Sequence, residues 1–138
     1  ACQRVFSTPW ELTITPLDTC GNVFLQGDNF ERLKESSDPL VQAVLQNHFA
    51  WCEAVKDWPI LSHMDPEAQS SLLYDTVAVY LAFSESLLEM EQLPIIVTDD
   101  GKTLVNDGGQ LVNCAMQWKD QTAFESLLTK RLLNEDQR

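Results

Sequence analysis

Apolar residues switch between two-residue and helical spacing along the chain, and each switch predicts an element. Trp10, Leu12 and Ile14 alternate with Glu11, Thr13 and Thr15, the period of a strand with one polar face. Pro16 ends that run, Asp18 to Asn22 carries turn chemistry, and Val23-Phe24-Leu25 returns. A β-hairpin over about residues 10–26 is therefore expected, with Val5-Phe6 as a short edge strand cut off at Pro9. Asp28-Asn29 then caps a short helix through Phe30, Leu33 and Lys34.

Two stronger helix starts share one device. Asp38-Pro39 and Asp65-Pro66 each place a capping carboxylate before a proline at the first helical position, where its missing N–H costs nothing. From Asp38 the stripe Val41, Val44, Leu45, His48, Cys52 and Val55 predicts an amphipathic helix stopped at Trp58-Pro59. From Asp65 the run Leu72, Leu73, Tyr74, Val77, Val79, Tyr80, Leu81 and Phe83 leaves almost no polar side. This predicts a central hydrophobic helix over about 66–91. In that helix Glu85 and Glu89 repel at four-residue spacing and sit, with Glu91, at an end whose dipole prefers cations.

Strand chemistry resumes at Pro94 to Thr98. Asp99-Asp100-Gly101-Lys102 reads as a hairpin turn, Thr103 to Val105 as its return, Asn106 to Gly109 as a second turn and Gln110 to Met116 as a third strand. Asp120 or Thr122 caps a last helix that turns Ala123, Phe124, Leu127, Leu128 and Leu132 inward, with Lys130 and Arg131 suiting its end. The expected fold is α+β. An antiparallel sheet, made of the N-terminal hairpin and the C-terminal three-strand meander, packs against the central helix and two or three amphipathic helices. Residues 1–138 are expected to form one globular domain, with 135–138 frayed.

Charge changes this picture. The chain carries a net −12, and the 45 residues from Asp57 to Gly101 hold no Lys or Arg but nine carboxylates. Such a belt attracts cations and basic surfaces and repels phosphates, so direct nucleic-acid binding is not expected. No run of 18 apolar residues predicts a membrane span, and Ala1-Cys2-Gln3-Arg4 has no signal-peptide character. The four cysteines, Cys2, Cys20, Cys52 and Cys114, match no zinc or redox spacing and read as free thiols in a reducing cytoplasm.

Catalytic and cofactor motifs fare poorly. His48 and Cys52 have a metal-chelating spacing, with Cys20 and His63 as the remaining ligands of the right kind, but both lie on an apolar stripe and read as core. Cys20, in a turn, reads as an exposed thiol; no local signature or cationic surroundings make it a nucleophile. Asp99, Asp100 and Asp107 miss the calcium-loop spacing, and no glycine run has a phosphate-binding layout, so no cofactor is expected. Core packing is the default for Trp10, Trp51, Trp58 and Trp118, with Trp51 placed to anchor an interface instead.

The favoured reading is a small non-enzymatic module that binds a basic protein. Three versions fit: an immunity or antitoxin-type inhibitor, an adaptor resembling secretion chaperones in size, acidity and α+β make-up, and a nucleic-acid mimic. Its contact surface is expected to comprise Asp75, Glu85, Glu89 and Glu91, with Asp99 and Asp100 at the neighbouring turn. The alternative is a small-molecule or enzymatic domain whose pocket lies between sheet and central helix, using Tyr74, Tyr80, His48 or His63. A homo-oligomer held by a sheet edge or an apolar helix face is the third class.

Overall fold

In the computed structural model, which describes residues 1–59 and 64–135, the chain is α+β, with six α-helices and one four-stranded mixed sheet among the described residues. They group into two compact units. Ala1–Gly21 and Tyr74–Lys119 form a sheet unit; Asn22–Leu73 and the C-terminal segment from Asp120 form a helical unit.

In the sheet unit, helix α1 (Cys2–Phe6) precedes strand β1 (Thr13–Ile14) and the short helix α2 (Leu17–Cys20). Val5 and Phe6 are thus helical, not an edge strand. The Ser7 and Thr8 hydroxyls donate to the Arg4 and Val5 carbonyls at the helix end. Gln3 Nε2 ties α1 to the sheet by donating to the Val97 carbonyl at 3.1 Å. The expected hairpin over 10–26 does not form. β1 pairs in parallel with a C-terminal strand, Ile14 opposite Cys114, and Pro16 starts α2 instead of a turn. Thr19 holds α2 in place: its hydroxyl donates to the Ala115 and Met116 carbonyls, and its own carbonyl accepts from Trp118 Nε1.

Three antiparallel strands supply the rest of the sheet. They are β2 (Leu88–Val97), β3 (Thr103–Val105) and β4 (Gln110–Trp118), in the order β1-β4-β2-β3. The sheet is therefore mixed, and β2, not β3, lies between the other two antiparallel strands, which a meander would not allow. Ile95 pairs with Val105 on one edge and Gln110 on the other, so residues 106–109 carry the chain across β2. Asn106 N donates to the Pro94 carbonyl at 2.8 Å during this passage. Gly109 passes so close that a Cβ there would lie 2.5 Å from the Ile95 carbonyl. The β2–β3 turn uses Gly101 at φ +88°, a conformation that glycine adopts freely.

Ile95, Val112 and Cys114 form the core of one sheet face, joined by Phe6, Leu12, Ile14, Leu93 and Met116. The other buried side chains of this unit are Thr19, Cys20, Val77, Tyr80, Leu88 and Ala115. They lie on or beside elements that pack together, α2 against β4 and against helix α5 (Tyr74–Leu81).

The helical unit contains α3 (Asp28–Lys34), α4 (Pro39–Ala54) and α6 (Gln121–Leu132). Asp38 and Asp120 cap the last two, accepting from Leu40 N and Ala123 N at 2.8 Å. Leu25, Phe30, Leu33, Val41 and Leu45 make its core, with Phe49, Leu73, Leu132 and Leu133 packed around them. Glu135, at the edge of the expected frayed tail, pairs with Arg32, while residues 136–138 lie outside the described residues.

The central helix over 66–91 is the main expectation overturned. Asp65 does cap one turn, accepting from Glu67 N at 3.0 Å. The next amides are then taken by other partners: Ser70 N donates to Leu25 O, Leu73 N to Val23 O and Ser71 N to His48 Nδ1. A helix needs those same N–H groups for carbonyls four residues back. Val23–Leu25 thus finds its partner here rather than near residue 14. Helix resumes only as α5, and Leu88–Glu91 belongs to β2.

Replacing Gly109 with alanine should cost about 1–3 kcal/mol, because the backbone of Ile95 has nowhere to move. Gly108→Ala meets only the Asn106 side chain, at 3.3 Å, and should stay within about 0.5 kcal/mol. Urea denaturation of the two variants distinguishes them; equal midpoints would argue against the close crossing.

Candidate functional site

All six acidic residues singled out from the sequence, Asp75, Glu85, Glu89, Glu91, Asp99 and Asp100, fall in the sheet unit and are exposed. Asp57, Asp65 and Glu67, from the same cation-free stretch, fall in the helical unit. The belt that is continuous in sequence is thus divided between two bodies.

Local structure accounts for three of the six. Asp75 lies in the first turn of α5, where the helix dipole favours an anion. Asp99 Oδ1 accepts from Gln3 Nε2 at 3.1 Å. Asp100 accepts from the Thr98 hydroxyl and pairs with Lys102 Nζ at 2.9 Å. The Thr98 hydrogen bond first, then Lys102, holds the Asp100 carboxyl below its ordinary pKa.

Glu85, Glu89 and Glu91 are different. Glu85 lies in the loop after α5, and Glu89 and Glu91 lie on β2, so they do not crowd a helix C-terminus as expected. Among the described residues none forms an ion pair with them or with Asp75. The cations of the sheet unit are Arg4, Lys102 and Lys119, and Asp100 already engages Lys102. Glu89 and Glu91, two apart on a strand, point to the same side about 7 Å apart. Their proximity to the sheet has a local effect: burial, then the Glu91 charge, pushes the Cys114 thiol up.

Of the residues named for the alternative pocket, Tyr74 and Tyr80 lie on α5 in the sheet unit, and His48 lies on α4 in the helical unit. His63 lies outside the described residues. The Tyr80 hydroxyl meets those of Ser84 and Ser86, each at 3.0 Å. Burial raises its pKa, but these two contacts and the Leu87 backbone outweigh that and lower it.

In the helical unit, His48 Nδ1 accepts from Ser71 N, which leaves Nε2 as the protonated nitrogen donating to the Pro66 carbonyl at 3.0 Å. Cys52 Sγ approaches Nδ1 at 3.6 Å. Both ring nitrogens thus serve the fold, and no group of three or more metal-binding side chains gathers among the described residues. His48 also borders an apolar cleft of about 300 Å³, lined chiefly by Leu25, Phe30, Leu45, Leu73, Trp51 and Leu132.

The cysteines are free; Cys2 is exposed and Cys20, Cys52 and Cys114 are buried. Cys20, expected at the surface of a turn, instead closes α2 and donates to the Thr15 carbonyl. Trp10, Trp51 and Trp58 are exposed, against the core packing expected of them by default.

One feature of the sheet was not expected from the sequence. β3 covers only Ile95–Val97 of β2, so the edge from Leu88 to Leu93 carries no neighbouring strand. The alternation Leu88-Glu89-Met90-Glu91 is the signal that points to it. No known protein family matches the chain, and no curated protein matches it either. No helix among the described residues is long and apolar enough to cross a membrane.

Burial pushes the Cys52 thiol up, as it does Cys114. A raised thiol pKa adds stability below the unfolded value of about 8.5, and that contribution is lost as pH climbs through the folded pKa. Unfolding midpoints should therefore fall as pH rises above about 8.5. A thiol reagent should label Cys2 alone in the native protein and all four cysteines in denaturant. Rapid native labelling of Cys20, Cys52 or Cys114 would contradict their placement.

Proposed function

We propose that this chain is a non-enzymatic binding module whose sheet unit engages a basic protein surface. The supporting observation is the set Glu85, Glu89 and Glu91: exposed, close in sequence, and without an ion-pair partner among the described residues. Uncompensated like charges raise the free energy of the isolated protein and lower it when a cationic surface arrives. Asp75, Asp99 and Asp100 extend the same potential. An inhibitor of a basic toxin, a chaperone-like adaptor and a nucleic-acid mimic all use such a surface, and free thiols suit a reducing cytoplasm.

A second reading rests on the cleft beside His48. Its lining is apolar and His48 is committed to backbone, so it suits an apolar guest better than a reaction.

Glu85→Lys/Glu89→Lys should weaken binding to a partner captured from native lysate at least tenfold, about 1.4 kcal/mol, and flatten its salt dependence. Isothermal titration at low and high salt measures both. Unchanged affinity with an unchanged salt slope would sink the proposal.

A further inference from the structure

We infer that the open edge of β2 takes up an extended segment of a partner chain, in which basic and aliphatic residues alternate. This rests on the acidic-surface reading above and specifies how the partner is held.

Hydrogen-bond direction along β2 supports the edge. In an antiparallel ladder, successive residues direct their N–H and C=O groups to opposite sides. Pro94 O accepts from Asn106 N, and Ile96 pairs with Leu104, so the even-numbered residues face away from β4. Met90 and Gln92 continue that series, and no described residue bonds to their outward backbone groups. A strand laid there would extend the line of β3 along β2.

Side chains select the occupant. Residues facing Glu89 and Glu91 across the new ladder would lie about 5 Å from them on the same face, where Lys or Arg supplies the missing countercharge. Alternate positions would point to the face of Met90 and Gln92, which continues beyond the open stretch through Pro94 and Ile96 to exposed Leu104 and Leu111; the Met90 end of it favours an aliphatic side chain. A second copy of this chain is a poor occupant. Pairing β2 with itself would set Glu89 and Glu91 of one copy against those of the other. The same carboxylates that discourage self-pairing admit a basic strand.

The probe is a fluorescent Lys-Val-Lys-Val-Lys-Thr peptide, compared with a form N-methylated on alternate residues. N-methylation removes backbone donors and leaves the charge intact. Fluorescence anisotropy should show binding that falls about tenfold or more on N-methylation and again with Glu89→Lys/Glu91→Lys. Hydrogen exchange at the Met90 and Gln92 amides should slow when the unmodified peptide is bound. Equal binding of both peptides, lost in Glu89→Lys/Glu91→Lys, would overturn the edge mode while leaving the acidic-surface reading intact. No measurable binding, or a sedimenting dimer that buries the Met90 and Gln92 amides, would also overturn the edge mode.

Discussion

Pairing of β2 with β4 is the interaction on which the sheet unit depends. It aligns Leu88 to Ile95 with Gln110 to Trp118, and β1, β3, α1 and α2 all use that frame. β1 adds in parallel to β4, β3 folds back on β2, α1 packs against β2, and α2 is bonded to the carbonyls of Ala115 and Met116. Because β3 and β4 occupy opposite edges of β2, the chain must cross it at Ile95. Only the missing side chain of Gly109 leaves room. A register shift between Glu89 and Met90, where β4 has one residue more than β2, bends the ladder without changing which side of β2 faces outward.

The helical unit depends on a different economy of backbone groups. Val23–Leu25 and the segment from Gln69 to Leu73 satisfy one another, and His48 takes the Ser71 amide that this pairing leaves over. One buried imidazole thereby joins α4 to two positions of a non-helical segment, through Ser71 and Pro66. A residue that resembled half of a metal site is a hydrogen-bonding hub. Cys52 beside it is a small buried thiol, with burial raising its pKa.

Acidity has two meanings in this protein. Much of it is local: Asp38, Asp65 and Asp120 cap backbone, Asp75 opens a helix, and Asp100 braces a hairpin turn with Thr98 and Lys102. Such charges are consumed by the fold. Glu85, Glu89 and Glu91 are not, and two of them flank the unpaired groups of a sheet edge. Electrostatic attraction by itself orients a partner loosely, whereas a ladder of backbone hydrogen bonds sets its register. In the proposed binding mode, charge and open edge together therefore specify more than either does.

The sequence by itself determined the features that depend on neighbours a few residues away. The Asp38-Pro39 start of α4, the Asp120 cap, the hairpin turn at Gly101 and the apolar stripe of α4 were all legible, since caps, turns and helical stripes are local chemistry. The six exposed carboxylates were legible too, as composition. Tertiary structure decided what the apolar run from Leu72 onward became. Its spacing serves a helix equally well, but Leu25, Val23 and His48 supplied competing partners for its amides, and β4 supplied a strand for Leu88 to Ile95. Those partners lie between about 15 and 50 residues away, beyond the reach of periodicity. The same long-range pairing moved Glu89 and Glu91 from a helix end to a strand edge, because hydrogen bonds between distant segments outweighed local preference.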